Sequence, residues 1–385
     1  MAAYTNINRP QDYFVTTTWS GNDVNGRTIS NGEFQPDFLW MFNRNIAGSC
    51  PGVVYNSTIG AGTDSTAYGG NSTGKYNAVY TSLNYALPDG DFYRYGYLSG
   101  LTSTGFTCAA GNDPSGYQNY RHNQTGYNYV AWQWKANGGT TSSNTDGTGI
   151  TSTVQANTDA GFSIVTYTGI GSGNANPSVG HGLGVTPQVV LVKGLSQANS
   201  WIMYHYGIDG ANSRNKYLLL DTNGAAGTLA NYWGTSTSGG VTSSTFGVYA
   251  DNQSGNNYLN GKHVAYCFAE KQGFSKFGSY IGNGNANGTF VYTGFKPAWV
   301  MTKEVNAAGS WVIYDNKRDT FNPETKLLSA EASSAESTFT QYDFVSNGFK
   351  FRTSGSENSS GNKHIYMAFA EHPFTTSTGI PTTAR

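Results

Sequence analysis

One strand is written three times in this chain. Pro36-Asp37-Phe38-Leu39-Trp40, Pro187-Gln188-Val189-Val190-Leu191 and Pro297-Ala298-Trp299-Val300-Met301 each follow a Gly and an apolar residue: Gly32 and Phe34, Gly184 and Val185, Gly294 and Phe295. Each leads to a second strand ending in Tyr: Val53-Val54-Tyr55, Trp201-Ile202-Met203-Tyr204 and Trp311-Val312-Ile313-Tyr314. Tyr55, Tyr204 and Tyr314 fall 19, 17 and 17 residues after Pro36, Pro187 and Pro297. Each copy closes on an alternating aromatic strand: Val130-Ala131-Trp132-Gln133-Trp134, Val264-Ala265-Tyr266-Cys267-Phe268 and Ile365-Tyr366-Met367-Ala368-Phe369. A repeat of this kind constrains the architecture before any site is considered. It also argues against a chemistry that needs one unique constellation.

The local signals are those of strands. Phe162-Ser163-Ile164-Val165-Thr166-Tyr167 and Phe290-Val291-Tyr292 are rich in β-branched and aromatic residues. Trp132 and Trp134 alternate with period two, so both point to one face. The expected class is all-β: three tandem antiparallel β-sandwich repeats. The expected boundaries are 1–139, 140–273 with a polar linker over 140–149, and 274–374. An extended C-terminal arm over 375–385 follows. The best helical candidate is Ser329 to Glu336, about two turns. Gly282 to Gly288 reads as a hairpin loop.

Charged residues make up 12% of the chain, net charge is −1, and 27 tyrosines stand among 50 glycines. Without a basic stripe, nucleic acid is excluded as an expected partner. No stretch approaches the ~18–20 apolar residues of a membrane-spanning helix. The opening Met1-Ala2-Ala3-Tyr4-Thr5 lacks the basic start and apolar run of a signal peptide, so synthesis in the cytosol and release by lysis are expected. Three cysteines cannot make a disulfide framework. Cys267 reads as a core residue, and Cys50 with Cys108 is the one pairing open.

Catalytic and metal patterns are thin. His263 and His364 precede the closing strand at equivalent places and read as polar residues at strand starts. His122, His181, His205 and His372 show no zinc spacing. Glu270 and Glu371, just past the closing strand, would need a facing carboxylate to act as acids, and read as solvated charges. No G-x-S-x-G elbow or phosphate loop is present. Asp251-Asn252-Gln253-Ser254-Gly255 offers oxygen ligands for calcium, but turn chemistry accounts for it, so no cofactor is expected. Asn-x-Ser/Thr triplets begin at Asn56, Asn71, Asn123, Asn252, Asn287 and Asn358, and read as chance matches.

The first copy carries two insertions without counterparts, Gly60 to Tyr76 and Asp89 to Tyr129. Insertions between core strands go to surface loops, where recognition is concentrated. Tyr93, Tyr95, Tyr97, Tyr117, Tyr120 and Tyr127 stand there among Gly, Asn and Asp. A tyrosine offers a rigid apolar face with a polar tip, suited to a sugar ring or a protein interface. These six are the expected partner-binding residues.

Laid out in this way, the chain resembles a family of uncharacterised proteins encoded by marine tailed bacteriophages. The resemblance runs over nearly the whole chain. It rests on Ile7-Asn8 to Tyr13-Phe14, Ile150 to Val154, His181-Gly182-Leu183-Gly184, Ala265 to Lys271, Phe277-Gly278-Ser279-Tyr280, Phe290 to Pro297 and Ile365 to Ala370. It implies a jelly-roll or lectin-like sandwich on the virion surface, in a tail fibre or other appendage, as a homo-oligomer with a trimer favoured. The partners implied are other virion proteins or a host surface glycan, and no enzyme activity is expected. A capsid-decorating protein and a polysaccharide depolymerase are the alternatives. Trp132-Gln133-Trp134-Lys135 departs from the Ala-Glu ending of the other two copies.

Overall fold

A computed structural model describes residues 5–46, 50–60, 75–86, 94–235 and 240–382. Regular structure in the described chain is nearly all strand, with only short 3-10 turns beside it. The first third forms β1 (Phe14–Ser20), β2 (Arg27–Ser30), β3 (Phe38–Asn43), β4 (Val53–Asn56), β5 (Ala78–Tyr80), β6 (Tyr97–Thr102), β7 (Gly105–Ala109) and β8 (Asn128–Trp134). Next come β9 (Ser142–Asn144), β10 (Ser152–Asn157), β11 (Phe162–Thr168), β12 (Ser178–Gly180), β13 (Val189–Gly194), β14 (Ile202–His205), β15 (Lys216–Leu219), β16 (Gly227–Thr228), β17 (Thr245–Gly247) and β18 (Lys262–Phe268). The last third holds β19 (Ser275–Ile281), β20 (Phe290–Tyr292), β21 (Phe295–Glu304), β22 (Val312–Asp315), β23 (Glu324–Ser329), β24 (Ser337–Val345), β25 (Gly348–Phe351) and β26 (Lys363–Pro373).

One antiparallel order recurs in three sheets: β1-β8-β3-β4-β5, β11-β18-β13-β14-β15 and β19-β26-β21-β22-β23. The second sheet is extended by β10 and β9 beyond β11 and by β16 beyond β15. The third continues through β24, β25 and β20. Equivalent positions do the same work. The facing pairs Trp19/Tyr129, Tyr167/His263 and Tyr280/His364 stack their rings at 5.4, 5.0 and 5.0 Å. The polar tip of the first ring in each pair donates to the carbonyl of His122, Asn256 or Glu357, at 2.8, 2.7 and 2.7 Å. Each carbonyl lies seven residues before its stacked partner. The next residue is a buried Asn in every case, Asn123, Asn257 or Asn358, whose amide ties down the adjoining loop.

Period-two alternation buries both faces of each sheet. Outer faces pack as sandwiches. Leu39, Met41, Tyr55 and Ala131 meet Ile29, Leu98 and Phe106 of the β2-β7-β6 sheet. Val165, Val190 and Tyr204 meet Val179 and Phe246 of the β12-β17 ribbon. Val300, Val312 and Tyr314 meet Phe344, Phe349 and Phe351 of the folded-over β24 and β25.

Inner faces of all three sheets converge on one further core, so the hydrophobic interior is not parcelled one per repeat. Trp134, Phe268 and Phe369, the last aromatics of the three closing strands, touch one another. Their rings lie 6.3 Å apart for Trp134–Phe268, 5.3 Å for Trp134–Phe369 and 6.0 Å for Phe268–Phe369. Three polar links also join the sheets, first to second, second to third and third to first, each made by the residue after a recurring Tyr. Asn56 donates to the Tyr266 hydroxyl at 2.8 Å, His205 lies 3.1 Å from the Tyr366 carbonyl, and Asp315 accepts from Trp132 Nε1 at 3.0 Å. Asp315 also holds the fully buried Arg318 at 2.5 Å. Arg318 reaches Glu336, which Arg44 of the first sheet grips with two bonds of 2.8 Å.

Several local expectations are corrected. Ser329 to Glu336 is a strand end and irregular chain, because Trp311 and Glu331 fix it against β22. Gly282 to Gly288 joins β19 to β20, which lie at opposite ends of one sheet, so it is not a hairpin; Asn358 pins it. The 140–149 segment contains β9, which pairs with β10. Residues 375–382 turn back, with Thr375 bridging Pro381 and Ser377 bonding Asn8, and do not extend. Cys50 and Cys108 are separate buried thiols, pushed up by burial to about 11 and about 12. Asn56, Asn123 and Asn358, whose triplets read as chance matches, are buried and hydrogen-bonded.

Candidate functional site: a tyrosine and arginine surface on the first sheet

The chain from Asn112 to Tyr127 is irregular, yet it is firmly held. Asp113 is buried, pairs with Arg94 Nε at 2.6 Å, and accepts from the Ser115 and Tyr117 amides at 3.2 and 3.1 Å. Such an aspartate turn fixes local direction without a regular element. The Tyr120 carbonyl accepts from Asn43 Nδ2 at 2.9 Å and from the Tyr129 hydroxyl at 3.1 Å, so β3 and β8 set its position. His122 lies beneath, 2.8 Å from the Tyr55 hydroxyl, and burial lowers its pKa to about 3.

Above this floor Tyr120 is the hub of an aromatic cluster. Its ring is 6.2 Å from Tyr95, 5.7 Å from Tyr117 and 6.0 Å from Tyr127. Arg121 lies 4.9 Å over the Tyr80 ring and 5.3 Å over Tyr95, and Arg94 lies 5.5 Å over Tyr95. Tyr117 is 46% exposed. Four of the six expected tyrosines are thereby brought together. Tyr97 is not in ring contact with them: it lies on β6, half-buried on the first sheet's outer core as Tyr127 also is, with Lys75 5.1 Å over its ring. Tyr93 lies outside the described residues.

Sequence reasoning does not single out Tyr80, Arg94 or Arg121. The available signal is adjacency, since Arg94-Tyr95 and Tyr120-Arg121 are chain neighbours. Stacked guanidinium planes and phenol rings make a surface that takes flat, weakly polar faces and anionic groups.

The remaining candidates are engaged in packing. His263 is buried beneath Tyr167, and burial lowers its pKa to about 4. His364 stacks on Tyr280 and bonds the Ser356 carbonyl at 2.9 Å. Glu270 and Glu371 are not merely solvated. Glu270 accepts the Phe277 amide and Lys276 Nζ, each at 2.8 Å, and Glu371 pairs with Lys296 at 2.5 Å. The Asp251 carboxylate accepts the Gln253 amide at 2.8 Å as a turn. Among the described residues no three His, Cys, Asp or Glu side chains are grouped to hold a metal.

No curated protein and no solved structure matches the chain. A family model described as a domain of unknown function, DUF7483, matches residues 9–373. With nearly the whole fold inside that match, the chain belongs to the DUF7483 family.

Proposed function

We propose that this protein is a non-enzymatic attachment or structural protein of a virion, and that the surface around Tyr120 is where it grips a partner. The observation that carries this reading is the cluster itself. Among the described residues the second sheet also groups three tyrosines, Tyr217, Tyr232 and Tyr249, but of the two groups only the first sheet's tyrosines carry guanidinium groups, those of Arg94 and Arg121, over their rings. The first sheet's group is anchored from below, so that little ordering remains on binding. The virion setting rests on the resemblance to phage-encoded proteins. The partner best suited to the chemistry is a host surface glycan, acidic sugars included, whose ring faces stack on tyrosine. Oligomerisation would multiply a weak single-site affinity by ~10²–10⁴.

Glycan-array binding by the intact chain tests the reading, with Tyr117→Ala/Tyr120→Ala as control. Binding lost in the double variant supports it; equal binding by both proteins sinks the assignment of the site. A polysaccharide depolymerase is the second reading, because Glu33 and Glu371 both line one cleft of about 490 Å³ between the first and third sheets. Each is already ion-paired, Glu33 with Arg9 and Glu371 with Lys296. New reducing ends from host exopolysaccharide, abolished by Glu371→Gln, would favour that alternative.

A further inference from the structure

The same cleft has a second property, independent of the tyrosine surface. It runs along the outer edge of β1, past Phe14 to Thr18, between Ser30, Asn31 and Glu33 on one wall and Asn316, Lys317 and Glu371 on the other. Most outer edges of the three sheets are blunt. β5, β9 and β20 have three residues each and β16 has two. Short edge strands protect a fold against unwanted pairing. Among the described residues only β1 and β19 are seven-residue edges.

The equivalent strand of the second sheet shows what such an edge accepts. β11 is paired on its outer side by β10: Phe162, Ile164 and Thr166 face Asn157, Gln155 and Thr153. In β1 the corresponding residues are Phe14, Thr16 and Thr18. Tyr13 turns its carbonyl toward β8, where Lys135 N–H takes it. By alternation Phe14, Thr16 and Thr18 turn their backbone groups away from β8 and into the cleft.

β19 is guarded. Its outward Phe277 amide is capped by Glu270, which is ion-paired to Lys276, and Gly278 weakens the strand. Among the described residues β1 carries no such guard. Its Val15-Thr16-Thr17-Thr18 run has neither charge nor Pro and is strongly strand-forming. Glu371, the counterpart of Glu270, is held by Lys296. The Thr16 hydroxyl is buried without a partner, on a residue only 6% exposed.

We infer that the β1 edge accepts an extended strand from another polypeptide. That strand is uncharged and carries small, β-branched and amide side chains, like the Ser152–Asn157 strand that covers β11. Main-chain bonds to Phe14, Thr16 and Thr18 hold it, and alternate side chains enter the cleft.

The test uses the full chain and a labelled synthetic peptide of the sequence Ile150 to Thr158, with a scrambled peptide as control. Fluorescence anisotropy should show saturable binding of the first peptide alone. Hydrogen exchange should show the Thr16 and Thr18 amides slowing on addition. Thr16→Pro removes one outward N–H without touching the β8 ladder, and should weaken binding at least about tenfold, a loss of ~1.4 kcal/mol. Thr18→Lys, at an exposed position, should do the same if the proline variant misfolds. Thr16 and Thr18 amides already protected in the isolated monomer would overturn the inference. So would a peptide that binds both variants as well as the parent. A concentration-dependent dimer that Thr16→Pro dissolves, with no peptide binding, would assign the edge to a second copy and overturn it equally.

Discussion

The first and third sheets share one frame and differ in what has been built on it. In the third, the strand after the repeated Pro is followed by Trp311, whose indole donates to the Leu219 carbonyl of the second sheet at 2.9 Å. In the first, the same place is Gly52, where a Cβ would meet Phe42 at 2.3 Å. Thr81 makes the junction instead, donating to the Ala330 carbonyl at 2.9 Å. The third sheet folds β24 and β25 over its outer face. The first uses a separate small sheet there and adds the Asn112–Tyr127 loop with its tyrosines. Shared positions therefore close the core, and the positions unique to the first sheet make its surface.

The largest effect should come from the aromatic contact where the three closing strands meet. Trp134→Ala should cost roughly 3–5 kcal/mol, read by chemical denaturation. All three sheets should unfold together, because one core serves them. Separate transitions with only the first sheet weakened would break the shared-core description.

The junctions sharpen the comparison next. Asp315→Ala takes the nearest carboxylate from the fully buried Arg318 guanidinium and the acceptor from the Trp132 indole. It should cost about 3–5 kcal/mol, since a buried charge is left short of its partner. Asn56→Ala, at the equivalent place on the first sheet, removes a neutral bond and should cost about 1–3 kcal/mol. Equal losses would mean that the ion pair gives the third-to-first junction nothing special.

Two kinds of buried group should give opposite pH trends. Burial lowers His205 and His263 from 6.5 to about 4. Their contribution is complete above about 6.5 and is lost as pH falls toward 4. Glu324 is raised from 4.5 to about 9 by burial, with Asp315 and Asp319 adding to it. Its contribution is complete below about 4.5 and is lost as pH rises toward 9. Glu324→Gln should therefore raise Tm at pH ~8 and change it little at pH ~4. No pH dependence in that difference would remove Glu324 from the account.

The smallest effect on stability should come from the tyrosine surface. Tyr117→Ala should stay within about 0.5 kcal/mol by thermal melting, as exposed substitutions do. Tyr97→Ala should cost more, since that ring lies on the core. A reversal would exchange their roles.

Much of this is legible in the chain. Trp40, Trp132, Trp299 and Trp311 fall in the repeated strands, and they are core. The tyrosines without counterparts separate from them in the sequence, and four form one surface. Tyr97 lies on β6, apart from that cluster, and the chain does not separate it beforehand, because an alternating strand and a tyrosine-rich loop look alike where Gly interrupts both. His263 and His364 read as simple strand-start polar residues because their stacking on Tyr167 and Tyr280 is made across strands about a hundred residues apart in the chain.

Sequence alone determined that strands would form, which residues alternate inward, and where the first region departs from the other two. Those follow from local sterics and period-two burial, which act between near neighbours. Only tertiary structure decided that three inner faces meet at Trp134, Phe268 and Phe369, that three polar links join the sheets, and that β1 is left uncovered while β11 is not. Each of these depends on how distant strands come together, and no local pattern encodes that distance.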